Sequence, residues 1–125
     1  MENTKEPTLG NGKICYIEIP AVDIERSAAF FSTVFGWSVR KRGDGSTAFD
    51  DGVGQVSGTW VTDRKPSTEV RLLVHIMVDD AITTLNKIEA NGGKVVDPIG
   101  RHAPEITARF SDLDGNVWGI YQERR

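Results

Sequence analysis

What this sequence lacks narrows its function before any motif is found. It has a single cysteine, Cys15, so no internal disulfide can form. Cys15 stands in an apolar run, where a buried, inert thiol is the expected state. No apolar stretch approaches the roughly 20 residues that span a bilayer, and no signal pattern opens the chain, so the expectation is a cytoplasmic protein with no membrane partner. The charge balance is 15 basic against 18 acidic residues, a net −3, without a basic stripe, which argues against a nucleic-acid partner. Arg40, Lys41 and Arg42 make only a short cluster, broken by Gly43 and Asp44, and read as a solvated strand face. There is no G-x-S-x-G and no C-x-x-C. Gly52 and Gly54 lack the lysine and following helix of a phosphate loop.

What is present is a repeat. An apolar strand-like run, an aspartate, an amphipathic stretch and a glycine follow one another over residues 15–37, and the same order returns over residues 72–93. Asp23 and Asp80 are the matching aspartates, 57 residues apart. Self-similarity at a fixed period marks two copies of one supersecondary unit. Neither copy buries its apolar face alone, and a cleft is expected where two copies meet about a pseudo-dyad. At 125 residues, 38% hydrophobic and 26% charged, the chain is long and apolar enough for one globular domain. The expected organisation is a flexible arm over residues 1–12 and one domain over 13–125, with modules at about 13–62 and 69–122.

Pattern and punctuation give the elements. Strands are expected over 14–19, 37–41, 47–49 and 55–61, then over 70–78, 94–96, 107–110 and 117–121. Pro20 closes the first. Helices are expected over 23–35 and 80–91, capped by Asp23 and Asp80 and ended by Gly36 and Gly92-Gly93. In the first helix Ile24, Ala28, Phe31, Val34 and Phe35 share a face. Asp112 to Asn116 reads as a tight turn, with Gly115 and Asn116 supplying positive φ. The order is βαβββ twice: an α+β fold whose two modules form a cupped mixed sheet with the helices on the outer face.

Three segments then carry a family resemblance: strand–Ala21-Val22-Asp23–helix–Gly36-Trp37, then Val78-Asp79-Asp80–helix–Gly92-Gly93, and the closing Ser111-Asp-Leu-Asp-Gly-Asn-Val-Trp-Gly-Ile-Tyr-Gln122. Together they resemble the vicinal-oxygen-chelate superfamily of glyoxalase I, bleomycin-resistance proteins and extradiol dioxygenases, in its small single-domain, glyoxalase-related form. The resemblance implies two βαβββ modules, often a homodimer, and a function that the fold alone does not name. Metal-dependent relatives place a histidine or glutamine seven residues before each capping aspartate and glutamates on late strands. Here those places fall on Tyr16, Leu73 and Gly119, and residues 55–60 hold no carboxylate. With the ligands of those relatives missing at these places, the expectation is no metal and no cofactor.

Strand alternation sends Tyr16 and Glu18, and Leu73 and His75, toward the expected cleft. Glu18 and His75 are repeat mates and form a candidate acid/base dyad; a structural polar pair is the simpler reading. Met77, Arg109 and Tyr121 follow by the same alternation, whereas Trp118 and Ile120 belong to the core. Trp60, with Trp37 and Phe49, lines an aromatic pocket or packs in the core. Residues 99–105 form a rim or an exposed loop, with Arg101 and His102 placed to meet an anion. The functional expectation is non-catalytic binding of a small organic molecule in a metal-free cleft. The alternatives are a metal-independent isomerase or lyase using Glu18 and His75, and a metal-dependent glyoxalase or dioxygenase with an atypical ligand set.

Overall fold

The computed structural model describes residues 6–11, 13–69 and 72–124 and divides into two compact units, residues 1–65 and 66–125. The first unit contains β1 (Tyr16–Pro20), α1 (Ile24–Phe35), β2 (Ser38–Lys41), β3 (Thr47–Asp50) and β4 (Ser57–Val61). The second contains β5 (His75–Val78), α2 (Ala81–Ala90), β6 (Lys94–Asp97), β7 (Ile106–Ser111) and β8 (Val117–Gln122). Each unit is βαβββ with a four-stranded sheet, ordered β1-β4-β3-β2 and β5-β8-β7-β6. In each sheet the first and last strands pair in parallel and the other neighbours are antiparallel. The repeat read in the sequence is thus a repeat of topology. Among the described residues no helix is long and apolar enough to cross a membrane.

The helix starts are built alike. Asp23 and Asp80 are extended N-caps whose side chains accept the N–H of Arg26 at 3.1 Å and of Thr83 at 3.0 Å. Gly36, at φ 72°, ends α1 in the left-handed conformation, and its N–H donates to the Ser32 carbonyl. The face of α1 that carries Ala28, Phe31 and Val34 is buried together with Ser27 and Phe30. Beneath it the rings of Phe31, Trp37, Phe49 and Trp60 pack with centroids 4.4 to 6.3 Å apart. The second unit has a more aliphatic core of Ala81, Ile88, Ala108 and Ile120 with Phe110 and Trp118.

Several expectations are corrected. Cys15 is exposed rather than buried: β1 begins one residue later, and Ile14 beside it is exposed as well. The strand expected over 70–78 begins at His75; Val70 lies outside the described residues, and one further pairing, Gly119 N–H to the Val74 carbonyl at 2.9 Å, precedes the strand. Positive φ in the 112–116 turn comes from Gly115 alone, and Asn116 serves through hydrogen bonds instead. Asp112, only 4% exposed, organises that turn. Its Oδ1 accepts the N–H groups of Asp114 and Asn116, and its Oδ2 accepts Asn116 Nδ2 and Trp118 Nε1, each at 3.0 Å. Burial pushes the Asp112 carboxyl up, against the pull of these donors.

Part of the expected arm, residues 1–5 and 12, lies outside the described residues. Residues 6–11 are exposed. The Thr8 N–H donates to Gln55 Oε1 at 2.9 Å, and Lys13 Nζ donates to the Gln55 carbonyl. Asp51 Oδ1 holds the same turn, accepting the N–H groups of Gln55 and Val56.

Candidate functional site on the open sheet faces

One face of each sheet lies under its helix, and the candidate residues stand mostly on the other. In the first unit Ile19 and its register partner Trp60 point to the helix side and are buried. Tyr16 and Glu18 alternate with Ile19 and are exposed, Tyr16 by 40%. In the second unit Ile120 and Trp118 fill the helix side. His75, Met77, Arg109 and Tyr121 take the opposite parity, with Met77 69% exposed. Leu73 precedes β5 and is half-buried.

The open face of the first sheet is polar and internally paired. Arg40 grips Asp50 with two hydrogen bonds, Nε to Oδ2 at 2.9 Å and Nη2 to Oδ1 at 3.1 Å. Ser57 Oγ adds a third at 2.7 Å. The Arg40 guanidinium, helped by Ser57, holds the Asp50 carboxyl below the usual carboxylate range. The Arg42 guanidinium lies 5.4 Å from the centre of the Tyr16 ring, a cation–π distance. Glu18 is paired with Arg64, which also reaches Asp63 at 3.2 Å.

Across the second sheet, register aligns His75, Gly119, Arg109 and Asp97 in one row and Met77, Tyr121 and Thr107 in the next. The His75 ring lies close against Gly119: a Cβ there would fall 2.5 Å from His75 Cδ2. Asp97 is paired with Arg101 at 3.0 Å. Tyr121 Oη donates to Glu123 at 3.1 Å, and that bond holds its hydroxyl above its ordinary pKa.

The places that hold metal in metal-dependent relatives do not suit a divalent ion here. Tyr16 lies under a cation, and Leu73 offers no donor. Gly119 has no side chain, and the His75 ring fills the space one would need. Register makes Thr59 the counterpart of Gly119, since Glu18 faces Thr59 as His75 faces Gly119. The Thr59 hydroxyl donates to the Thr47 carbonyl at 2.8 Å. Among the described residues no three of His, Cys, Asp and Glu gather as a metal centre needs.

The other sequence candidates are placed as follows. Glu18 and His75 belong to different units, and within its own unit Glu18 already has Arg64 as partner. Trp60 is 2% exposed and packs against Phe31 and Phe49, so it sits in the aromatic core rather than on the open face. The aromatic pocket drawn from Trp37, Phe49 and Trp60 is therefore filled by the protein itself. Arg101 and His102 lie in the exposed 99–105 loop. Sequence reasoning missed the Arg40–Asp50–Ser57 cluster, although hairpin alternation about Gly45 puts Arg40 and Asp50 on one face. It also missed Arg64, because the 63–68 segment reads only as a linker.

Comparison with known proteins agrees with the fold. The profile of the Glyoxalase/Bleomycin resistance protein/Dioxygenase superfamily matches residues 13–120. A glyoxylase-like domain-containing protein of Didymella fabae is 31% identical over 122 residues, covering 88% of this chain and 93% of that protein. Among solved structures, the antibiotic-binding protein TnmS3 of Streptomyces sp. CB03234 superposes with a TM-score of 0.72 at 21% identity, covering 94% of this chain and 100% of that one. The fosfomycin resistance protein FosX of Listeria monocytogenes gives a TM-score of 0.72 at 14% identity, covering 90% and 92%. At such identities the structural likeness speaks for the fold alone. Duplicated βαβββ topology, paired aspartate caps and a profile match over most of the sequence converge: this chain belongs to the glyoxalase/bleomycin resistance protein/dioxygenase superfamily.

Proposed function

We propose that this chain binds a small organic molecule on an open sheet face, without a metal and without transforming it. The observation that carries the reading is the His75 ring lying on Gly119, where metal-dependent relatives carry a carboxylate. Where such relatives place a ligating carboxylate, this chain has a backbone position overlaid by an aromatic ring. In the same sheet the exposed Met77 and its register partner Tyr121 extend that character: a thioether and a ring with a polar tip suit an organic ligand. The antibiotic-binding protein TnmS3, similar in fold, supports the same reading. We also propose that the chain works as a homodimer, which sedimentation of the purified protein tests directly.

The test begins with native mass spectrometry of protein from its own host, which should retain a stoichiometric small molecule. Calorimetric titration with that molecule after dialysis against chelator should give the same affinity as before. Loss of binding on chelation, restored by zinc, manganese, iron or nickel, overturns the metal-free reading. Conversion of the bound molecule to product overturns the non-catalytic one. If Glu18→Gln or His75→Ala then abolished that conversion, an acid/base enzyme would replace the binding protein.

A further inference from the structure

We infer that Arg109 is an anion-recognition residue and that the ligand of the second sheet is a small organic acid, its carboxylate on the guanidinium and its apolar body over Met77 and Tyr121. The inference deepens the proposed small-molecule binding and rests on it. Among the described residues, Arg40 pairs with Asp50, Arg64 with Glu18 and Asp63, Arg101 with Asp97, and Arg124 with Glu105. Arg42 lies over Tyr16, and Arg26 is exposed on α1. Arg109 differs from all of these: it is half-buried in the middle strand β7, and no carboxylate among the described residues meets it. A guanidinium cannot shed its charge, and half-burial without a partner costs free energy that an incoming anion recovers.

Its surroundings explain why no described carboxylate meets it and what shape of ligand suits it. The cross-strand neighbour on one side is Asp97, whose carboxylate is engaged by Arg101. The neighbour on the other side is Gly119, which has no side chain to cover the guanidinium. Beyond Gly119 the His75 ring closes the row. The next row supplies the exposed Met77 and the Tyr121 ring. Glu105 and Glu123, the carboxylates nearest Tyr121, are held by Arg124 and by the Tyr121 hydroxyl. A carboxylate on Arg109 would make charge-assisted, bidentate hydrogen bonds, and its apolar remainder would meet a thioether and aromatic rings.

Benzoate and its neutral counterpart benzamide separate these contributions. In NMR titrations of the full chain at neutral pH, benzoate should move the Arg109 Nε–H and the Met77 methyl signals. It should bind about tenfold or more tightly than benzamide. Arg109→Gln should bring benzoate down to the affinity of benzamide, and Arg109→Lys, which keeps charge but loses the fork, should fall between. Should Arg109→Gln fail to fold, the Lys variant and the wild-type shifts carry the test. Equal binding of both probes, unchanged by the substitutions, would overturn the anion site and leave small-molecule binding standing. No shift from either probe also overturns the anion site, and the binding reading is then judged by the molecule recovered in native mass spectrometry.

Discussion

At the scale of single residues, two glycines show opposite uses of an absent side chain. At Gly58 a Cβ would fall 2.0 Å from the Ile17 carbonyl oxygen and 2.4 Å from Phe49 Cζ, so backbone and core ring together exclude it. Gly58→Ala should destabilise the protein by at least about 1–3 kcal/mol, the usual cost of overpacking, read from the urea midpoint. At Gly119 the obstacle is the ring of the exposed His75, a side chain that can swing away. Gly119→Ala should therefore cost less than about 1 kcal/mol while shifting the His75 ring signals in NMR. A large loss of stability with an unmoved ring would contradict this account of the row. Asp112 is a third case. Asp112→Ala leaves the buried Trp118 Nε1 and the turn N–H groups without their acceptor, at about 1–3 kcal/mol for each group that water cannot reach.

At the scale of elements, the two helices start by the same device and differ in what they cover. Asp23 and Asp80 each satisfy an N–H that the helix cannot bond itself. Replacing either with alanine should cost about 0.5–2 kcal/mol, and replacing it with asparagine markedly less. Equal losses for alanine and asparagine would mean that charge, not the cap hydrogen bond, carries the effect. The elements were also the most legible feature of the sequence. Asp23, Gly36 and Gly92 mark helix ends by local backbone chemistry, and the β2–β3 turn follows from Gly45 at φ 89°. The errors lie where local chemistry is silent. Nothing in the run Ile14-Cys15-Tyr16 tells whether a helix covers it, so Cys15 reads as buried although it is exposed.

At the scale of the whole molecule, stability should follow the carboxylates. Asp50 and Asp44 are held below their ordinary pKa, Asp50 first by Arg40 and Asp44 by Ser46. A depressed folded pKa contributes stability above the unfolded value, about 3.9, that is lost as pH falls through the folded value. Asp112 has the opposite sign: burial raises it, so its ionised form is disfavoured in the folded state, and acidification through its raised pKa relieves that cost. Urea midpoints measured against pH should decline below about pH 4, and Asp50→Asn should flatten that acid limb. An unchanged limb in Asp50→Asn would show that the Arg40–Asp50 pair contributes nothing to acid stability.

The sequence by itself determined the repeat, the two capped helices, the βαβββ succession of elements along each unit and the parity of Tyr16, Glu18, His75, Met77, Arg109 and Tyr121. These depend on periods of two and 3.6 residues and on turn chemistry, which act over a few neighbours. It also fixed the absence of ligating side chains at Leu73 and Gly119. Only the tertiary structure decided which polar groups meet. It gave Glu18 to Arg64, Asp50 to Arg40 and Ser57, and Asp97 to Arg101, and among the described residues it left Arg109 without a carboxylate. It placed Trp60 under α1 and laid His75 across Gly119. Those outcomes depend on strand register and on competition among side chains for the same partners, and neither is encoded by spacing along the chain.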